Sequence, residues 1–182
     1  MSHRLIACAA TCMLVFGFAF GATAQEASST PAPADGTFMK HAAADGLAEI
    51  QMGKLALQKS SSEDVKKFAS RIVADHTKAN EDLKTVAQAH QVILPAAPGE
   101  EAQHMAATLQ ARDGASFDSA WANAMVQDHQ KAVASFSTAA GDADAADVKA
   151  FAKRTLPTLE AHLELARQLQ SNLGAGTAGN GE

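Results

Sequence analysis

The sequence predicts an all-α protein, a four-helix bundle made of two antiparallel hairpins. Three observations predict it. Between residues 36 and 173, Ala, Leu, Lys, Glu and Gln dominate, Tyr is absent, and no alternating apolar run marks a strand. Four long segments carry apolar residues at i, i+3, i+4 spacing, the seam pattern of a bundle. The links between those segments run short, long, short, which pairs the first with the second and the third with the fourth.

Segment A spans Gly36 to Lys59, with the stripe Phe38, Ala42, Asp45, Glu49, Met52 and Ala56. Segment B spans Ser62 to His90; Ser61 is the expected N-cap, Asp64 takes the capping-box position, and the stripe is Val65, Phe68, Ile72, His76, Ala79, Leu83 and Val86. Segment C spans Ser116 to Ala140, with Phe117, Trp121, Met125, His129, Ala132 and Phe136. Segment D spans Asp144 to Leu173, with Val148, Phe151, Thr155, Leu159, His162, Ala166 and Leu169; Asp144 is the expected N-cap and Gly174 the stop. Pro157 interrupts D, where it removes one helical hydrogen bond and is expected to bend the helix around the core. Gly46 and Gly53 share one face of A, which fits close packing on a neighbouring helix.

Serines link A to B, and Gly141-Asp142 links C to D. Residues 91–115 form the long link, with Pro95, Pro98 and Gly99, a short helix expected around Glu100–Arg112, then Asp113-Gly114. A crossover of that length can return the chain so that C starts at the same end as A, a ferritin-like arrangement; an up-down bundle with a long loop is the alternative. A weak repeat supports paired hairpins, because Asp64–Arg71 (DVKKFASR) resembles Asp147–Arg154 (DVKAFAKR) and each opens the second helix of its hairpin.

Near the start of the sequence, Arg4 precedes an apolar run from Leu5 to Phe20 and small residues at Ala22 and Ala24. That is the layout of a secretory signal peptide over 1–24, with cleavage after Ala24. The run is shorter than the roughly 20 apolar residues of a membrane span, so no integral span is expected in the mature chain. Residues 25–35, QEASSTPAPAD, read as a disordered spacer, 36–173 as the bundle domain, and 174–182, GAGTAGNGE, as a disordered tail. Both cysteines, Cys8 and Cys12, fall in the signal, so the mature chain can form neither a disulfide nor a thiolate metal site. Losing Arg4 takes the net charge from -5 to -6, and no basic cluster offers nucleic acid a footing.

Each stripe carries one strongly polar residue near its middle: Glu49, His76, His129 and His162. Antiparallel packing places all four at one level, facing the same axis. An unpartnered buried polar group costs about 1–3 kcal/mol, so the four must satisfy one another, hold water, or bind an ion. Three imidazoles and a carboxylate suit one transition-metal ion, zinc, iron, manganese or copper. A Glu–His network with trapped water is the competing reading. Asp45, one turn before Glu49, is a further candidate ligand. Asp75 and Asp128 each precede a histidine, and neighbouring helix positions do not face each other; they read as surface groups or as supports behind the ligands. His41 pairs with Asp45 at i, i+4 as a surface or entrance pair, and His90 and His104 carry no assigned role.

Four stretches, FMKHAAADGLAEIQMGKLAL (38–57), VKKFASRIVADH (65–76), FDSAWANAMVQDH (117–129) and LPTLEAHLELA (156–166), resemble the bacterial family called domain of unknown function 4142. They cover nearly the whole mature chain. The resemblance implies a ferritin-like fold and a place in the periplasm or at the outer membrane, and it implies no activity. Di-iron enzymes of ferritin-like fold use Glu-x-x-His pairs, but Val73, Val126 and Leu159 stand three residues before His76, His129 and His162. No di-iron chemistry is expected, and no G-x-S-x-G or H-E-x-x-H motif is present. The sequence therefore points to an exported metal-binding bundle. A structural or partner-binding envelope bundle and a mononuclear metalloenzyme are the alternatives.

Overall fold

The computed structural model describes residues 31–178, with side chains to residue 175. The expected signal peptide and most of the expected spacer lie outside the described residues. Five helices follow in order: α1 Pro33–Lys59, α2 Glu63–Ala89, α3 Glu100–Gln110, α4 Gly114–Asp142 and α5 Ala146–Ala178. There is no strand among the described residues, and none of these helices is long and apolar enough to cross a membrane. The all-α expectation holds. Helices α1 and α2 pair as one hairpin, α4 and α5 as the other, and α3 lies in the crossover against α1 and α4.

The direction of the crossover differs from expectation. Lys59, ending α1, pairs with Asp113 just before α4 at 2.8 Å and donates to the Gln110 carbonyl. At the other end, Asp35 in the first turn of α1 accepts from the backbone N–H groups of Asp144 and Ala145, where α4 gives way to α5. Helix α4 therefore starts where α1 ends, and the two run antiparallel. The link carries the chain along the length of the bundle, and α3 covers part of that distance.

Three boundaries also move. Helix α1 begins at Pro33, so the last three residues assigned to the spacer form its first turn. Proline suits that position because the N–H it lacks would have no helical partner, and Asp35 is buried by its bonds across the bundle. The N-cap of α2 is Ser62, not Ser61, and its hydroxyl accepts from Val65 N–H. Helix α5 starts at Ala146 with Asp35, rather than Asp144, accepting the preceding N–H groups, and it runs through Pro157 and past Gly174 to Ala178. Gly174 has no positive φ, so it does not turn the chain out of the helix there.

The stripes of B, C and D are buried or half-buried throughout. Segment A is different: in its first half the buried face is Met39, Ala43 and Gly46, one position on from Phe38, Ala42 and Asp45. Close approach of α2 explains the offset. A Cβ on Gly46 would collide with the Asn80 amide, and one on Gly53 would lie 2.8 Å from the Val73 side chain and 3.2 Å from the Ala69 carbonyl.

The core divides in two. One cluster, toward the α1–α2 turn, holds Met52, Val65, Phe68, Ile72, Phe117, Trp121 and Met125. The Trp121 indole donates to the Met52 carbonyl at 3.0 Å, tying α4 to α1. The other cluster, toward the start of α1, holds Met39, Leu83, Phe136, Val148, Phe151 and Leu159. The repeat seen in the sequence places Val65, Phe68 and Ala69 in the first cluster and Val148, Phe151 and Ala152 in the second. Glu49, His76, His129 and His162 lie between them.

Candidate metal centre

His76 on α2, His129 on α4 and His162 on α5 are all buried, the last two almost completely. Their ring centroids are 5.3 to 5.6 Å apart. One ring nitrogen from each lies within 4.8 Å of the other two. The stripe spacing produces this: each histidine sits at a core position of its own helix, and antiparallel packing brings the three to one level.

Hydrogen bonds fix which nitrogens can take an ion. His129 Nδ1 donates to the Met125 carbonyl at 2.9 Å, one turn back on α4. Its Nε2 is then the unprotonated nitrogen, and that atom is buried with no hydrogen-bond partner. His162 Nε2 donates to Asp75 Oδ2 at 2.8 Å, leaving Nδ1 buried and unpartnered. His76 Nε2 is buried and unpartnered as well. Histidines that ligate metals commonly give their other N–H to a carboxylate or carbonyl, which holds the ring and raises its basicity. His129 and His162 show both versions.

Asp75 thus holds the ring of His162, which lies across the bundle on α5 rather than next to it in the chain. On its outer side the same carboxylate oxygen meets Arg71 Nε at 3.3 Å. Asp128 is half-buried and makes no bond to a histidine of the trio, and burial raises its pKa.

Burial holds all three imidazoles neutral. It lowers His76 to about 3, with His129 and His162 adding to the effect. It lowers His129 to about 4, aided by His162 and opposed by the bond to Met125. His162 is lowered by burial against the pull of Asp75. Neutral imidazole is the form that binds metal, so three donors are ready across the physiological range.

Glu49 does not join the trio on equal terms. Its Oε1 lies 3.7 Å from His129 Nδ1, too far for a hydrogen bond and on the nitrogen already committed to Met125. Its Oε2 is buried without a partner, and burial, then Asp128 and Asp45, raise its pKa well above the usual carboxylate value. Asp45 stands apart from the histidines because α1 turns it out of the core, and it is exposed. The sequence-based set of Glu49, His76, His129 and His162 therefore resolves into three converging histidines with one carboxylate beside them. His41 and His104 are exposed. His90, given no role from sequence, joins the end of α2 to the first turn of α5 through Asp147 at 2.8 Å. Asp118, unremarked in the sequence, is buried with Oδ1 unpartnered and does not line the cavity.

That cavity has a volume of about 350 Å³ and reaches all three histidines and Glu49. It extends about two turns along α2 and α4 to Leu83 and Phe136, and to Phe151 on α5. Asp45, Asp128, Glu100, Glu101 and Lys131 line it as well.

A family described as a domain of unknown function (DUF4142) matches residues 20–169. The chain belongs to this family. Among solved structures, this DUF4142 chain is similar to CopM in its Cu(II)-bound form, with 22% identity over 76% of this chain and 96% of that one and a TM-score of 0.65. CopM in its Cu(I)-bound form gives a TM-score of 0.64 at 22% identity, with the same coverage. A DUF305 fragment from Deinococcus radiodurans gives 0.65 at 19% identity over 80% of this chain and 98% of that one. At these identities the likeness is one of fold. No curated protein matches the chain.

Proposed function

We propose that the mature chain is an exported metal-binding protein that holds one copper ion on His76, His129 and His162. The observation that carries this reading is three buried histidines from three helices with one ring nitrogen of each within 4.8 Å of the others; each ring also holds a buried nitrogen without a partner, and two of the rings are anchored from behind. A bundle core gains nothing from such atoms unless something satisfies them, since each costs about 1–3 kcal/mol.

The donor set favours copper within the sequence-based choice of metals. Imidazole suits zinc, copper and iron, while manganese prefers oxygen ligands. Mononuclear iron sites commonly add a carboxylate to two histidines, and Glu49 stands off the trio. Copper(II) exceeds zinc in intrinsic affinity for nitrogen ligands. CopM, of the same fold, exists in Cu(I)-, Cu(II)- and silver-bound forms. The leader-like residues 1–24 support export to the periplasm or the outer membrane, where the protein would meet metal ions directly.

The test is to purify the mature protein from an envelope fraction without a chelating tag and measure bound metals. The expected result is about one copper per chain, lost in a His76→Ala/His129→Ala variant whose circular dichroism shows an intact bundle. Metal well below one per chain, unchanged by that variant, contradicts the reading and leaves a structural bundle whose histidines are satisfied by water. Zinc at one per chain, lost in the variant, keeps the site and replaces the ion.

A further inference from the structure

The three histidines are buried, so an ion must cross the protein surface to reach them. The cavity supplies the path, and the side chains along it carry a pronounced charge bias. Glu100 and Glu101 open α3, Asp45 is exposed on α1, and Asp128 is half-buried on α4. Glu49 lies deeper on the same wall, 5% exposed, with Oε2 unpartnered and Oε1 3.7 Å from the His129 ring. Against these five carboxylates and Asp75, which is bonded to His162, the cavity wall offers one ammonium, Lys131, held 3.3 Å from Glu101. The carboxylates are graded in depth, from the exposed acids of α3 to the buried Glu49.

We propose that this acidic wall is the path by which metal cations load the histidine site, with the α3 acids and Asp45 gathering the ion and Glu49 passing it inward. The inference rests on the metal-binding reading of the trio. Geometry separates the roles. Glu49 neighbours the nitrogen of His129 that is bonded to Met125, so it is placed beside the site rather than within it. The α3 acids belong to the crossover and reach no histidine, yet they line the same cavity. The ion then exchanges hard oxygen donors for imidazole, which binds copper more strongly. The crossover helix thereby gains a function besides connection: it sets two acids over the opening of the bundle.

Loading kinetics of Cu(II) and silver(I), followed by stopped-flow fluorescence of Trp121 at low and high salt, test the proposal. Charged clefts raise association rates about 10- to 1,000-fold, and that gain falls with ionic strength. The Glu100→Gln/Glu101→Gln variant, changed only at exposed positions, is expected to load at least several-fold more slowly at low salt and to match the wild type at high salt. Its final metal content is expected to stay at the wild-type level. Glu49→Gln, which keeps the side chain's shape, is expected to slow loading at both salt concentrations. Wild-type rates in both variants, with full final loading, overturn the acidic path and leave the histidine site standing. A wild type that takes up no metal overturns the site itself.

Discussion

The two halves of the core are built by the same four long helices and differ in how they are filled. Toward the α1–α2 turn, Phe117, Trp121, Met125, Ile72 and Met52 pack with almost no exposure, and the one polar atom among them, the Trp121 indole nitrogen, has a carbonyl partner. Around and below the histidines, a cavity of about 350 Å³ remains, and four buried side-chain atoms there, on Glu49 and the three histidines, have no hydrogen-bond partner. The comparison separates what holds the fold from what the fold holds. The filled half fixes the register of the helices, and the hollow half uses that register to bring donors from three helices to one place.

If the filled half is the frame, damage there should be the most severe. Trp121→Ala removes a fully buried ring and its bond to Met52. Denaturant unfolding is expected to show a loss of about 3–5 kcal/mol, and a loss below about 1 kcal/mol would place the frame elsewhere.

Acid should act on the hollow half. His76 and His129 titrate in the fold at about 3 and about 4, below the ordinary 6.5. The unfolded chain therefore binds protons first as pH falls through 6.5, and each histidine removes about 1.4 kcal/mol of stability per pH unit down to its folded value. Glu49, raised by burial, works in the opposite direction above 4.5, because the folded state then holds a proton that the unfolded chain has lost. Apo-protein melting temperatures measured between pH 7 and 4 should decline with acid. In a His76→Leu/His129→Leu variant the decline should be much flatter, with stability at pH 7 equal to or above wild type, since unpartnered nitrogens are replaced by carbon.

Asp75→Asn tests whether the support behind His162 matters to the site. Loss of such a partner typically lowers metal affinity about 10- to 100-fold; competition against a copper chelator measures it, and an affinity within twofold of wild type would make Asp75 a surface residue only. The smallest effect is expected at Asp35. Asp35→Ala removes two backbone bonds that join the hairpins and should cost about 1–2 kcal/mol in unfolding experiments, with copper binding unchanged.

Much of this was legible in the sequence because core positions repeat every three or four residues. His76, His129 and His162 each take a slot in an apolar stripe, and antiparallel helices do the rest. What was not legible depended on helix rotation and on contacts across the bundle. Asp45 reads as a stripe residue, but the close contact of Gly46 with Asn80 turns α1 by one position and carries Asp45 outward. Asp75 reads as a neighbour of His76, but its side chain projects toward α5 and serves His162. Asp35 sits in a Pro-rich stretch that resembles a spacer, and only the return of the chain at Asp144 shows why it is helical. The cavity has no sequence signature, because small residues such as Ala42, Ala79 and Ala132 read equally well as close packing.

The most direct measurement of the central claim is X-ray absorption at the copper edge of the loaded mature protein. Three imidazole nitrogens at about 2.0 Å from one ion are expected, with at least one lost in His129→Leu. A copper shell dominated by oxygen, or one unchanged by that substitution, would contradict the assignment of His76, His129 and His162 as its ligands.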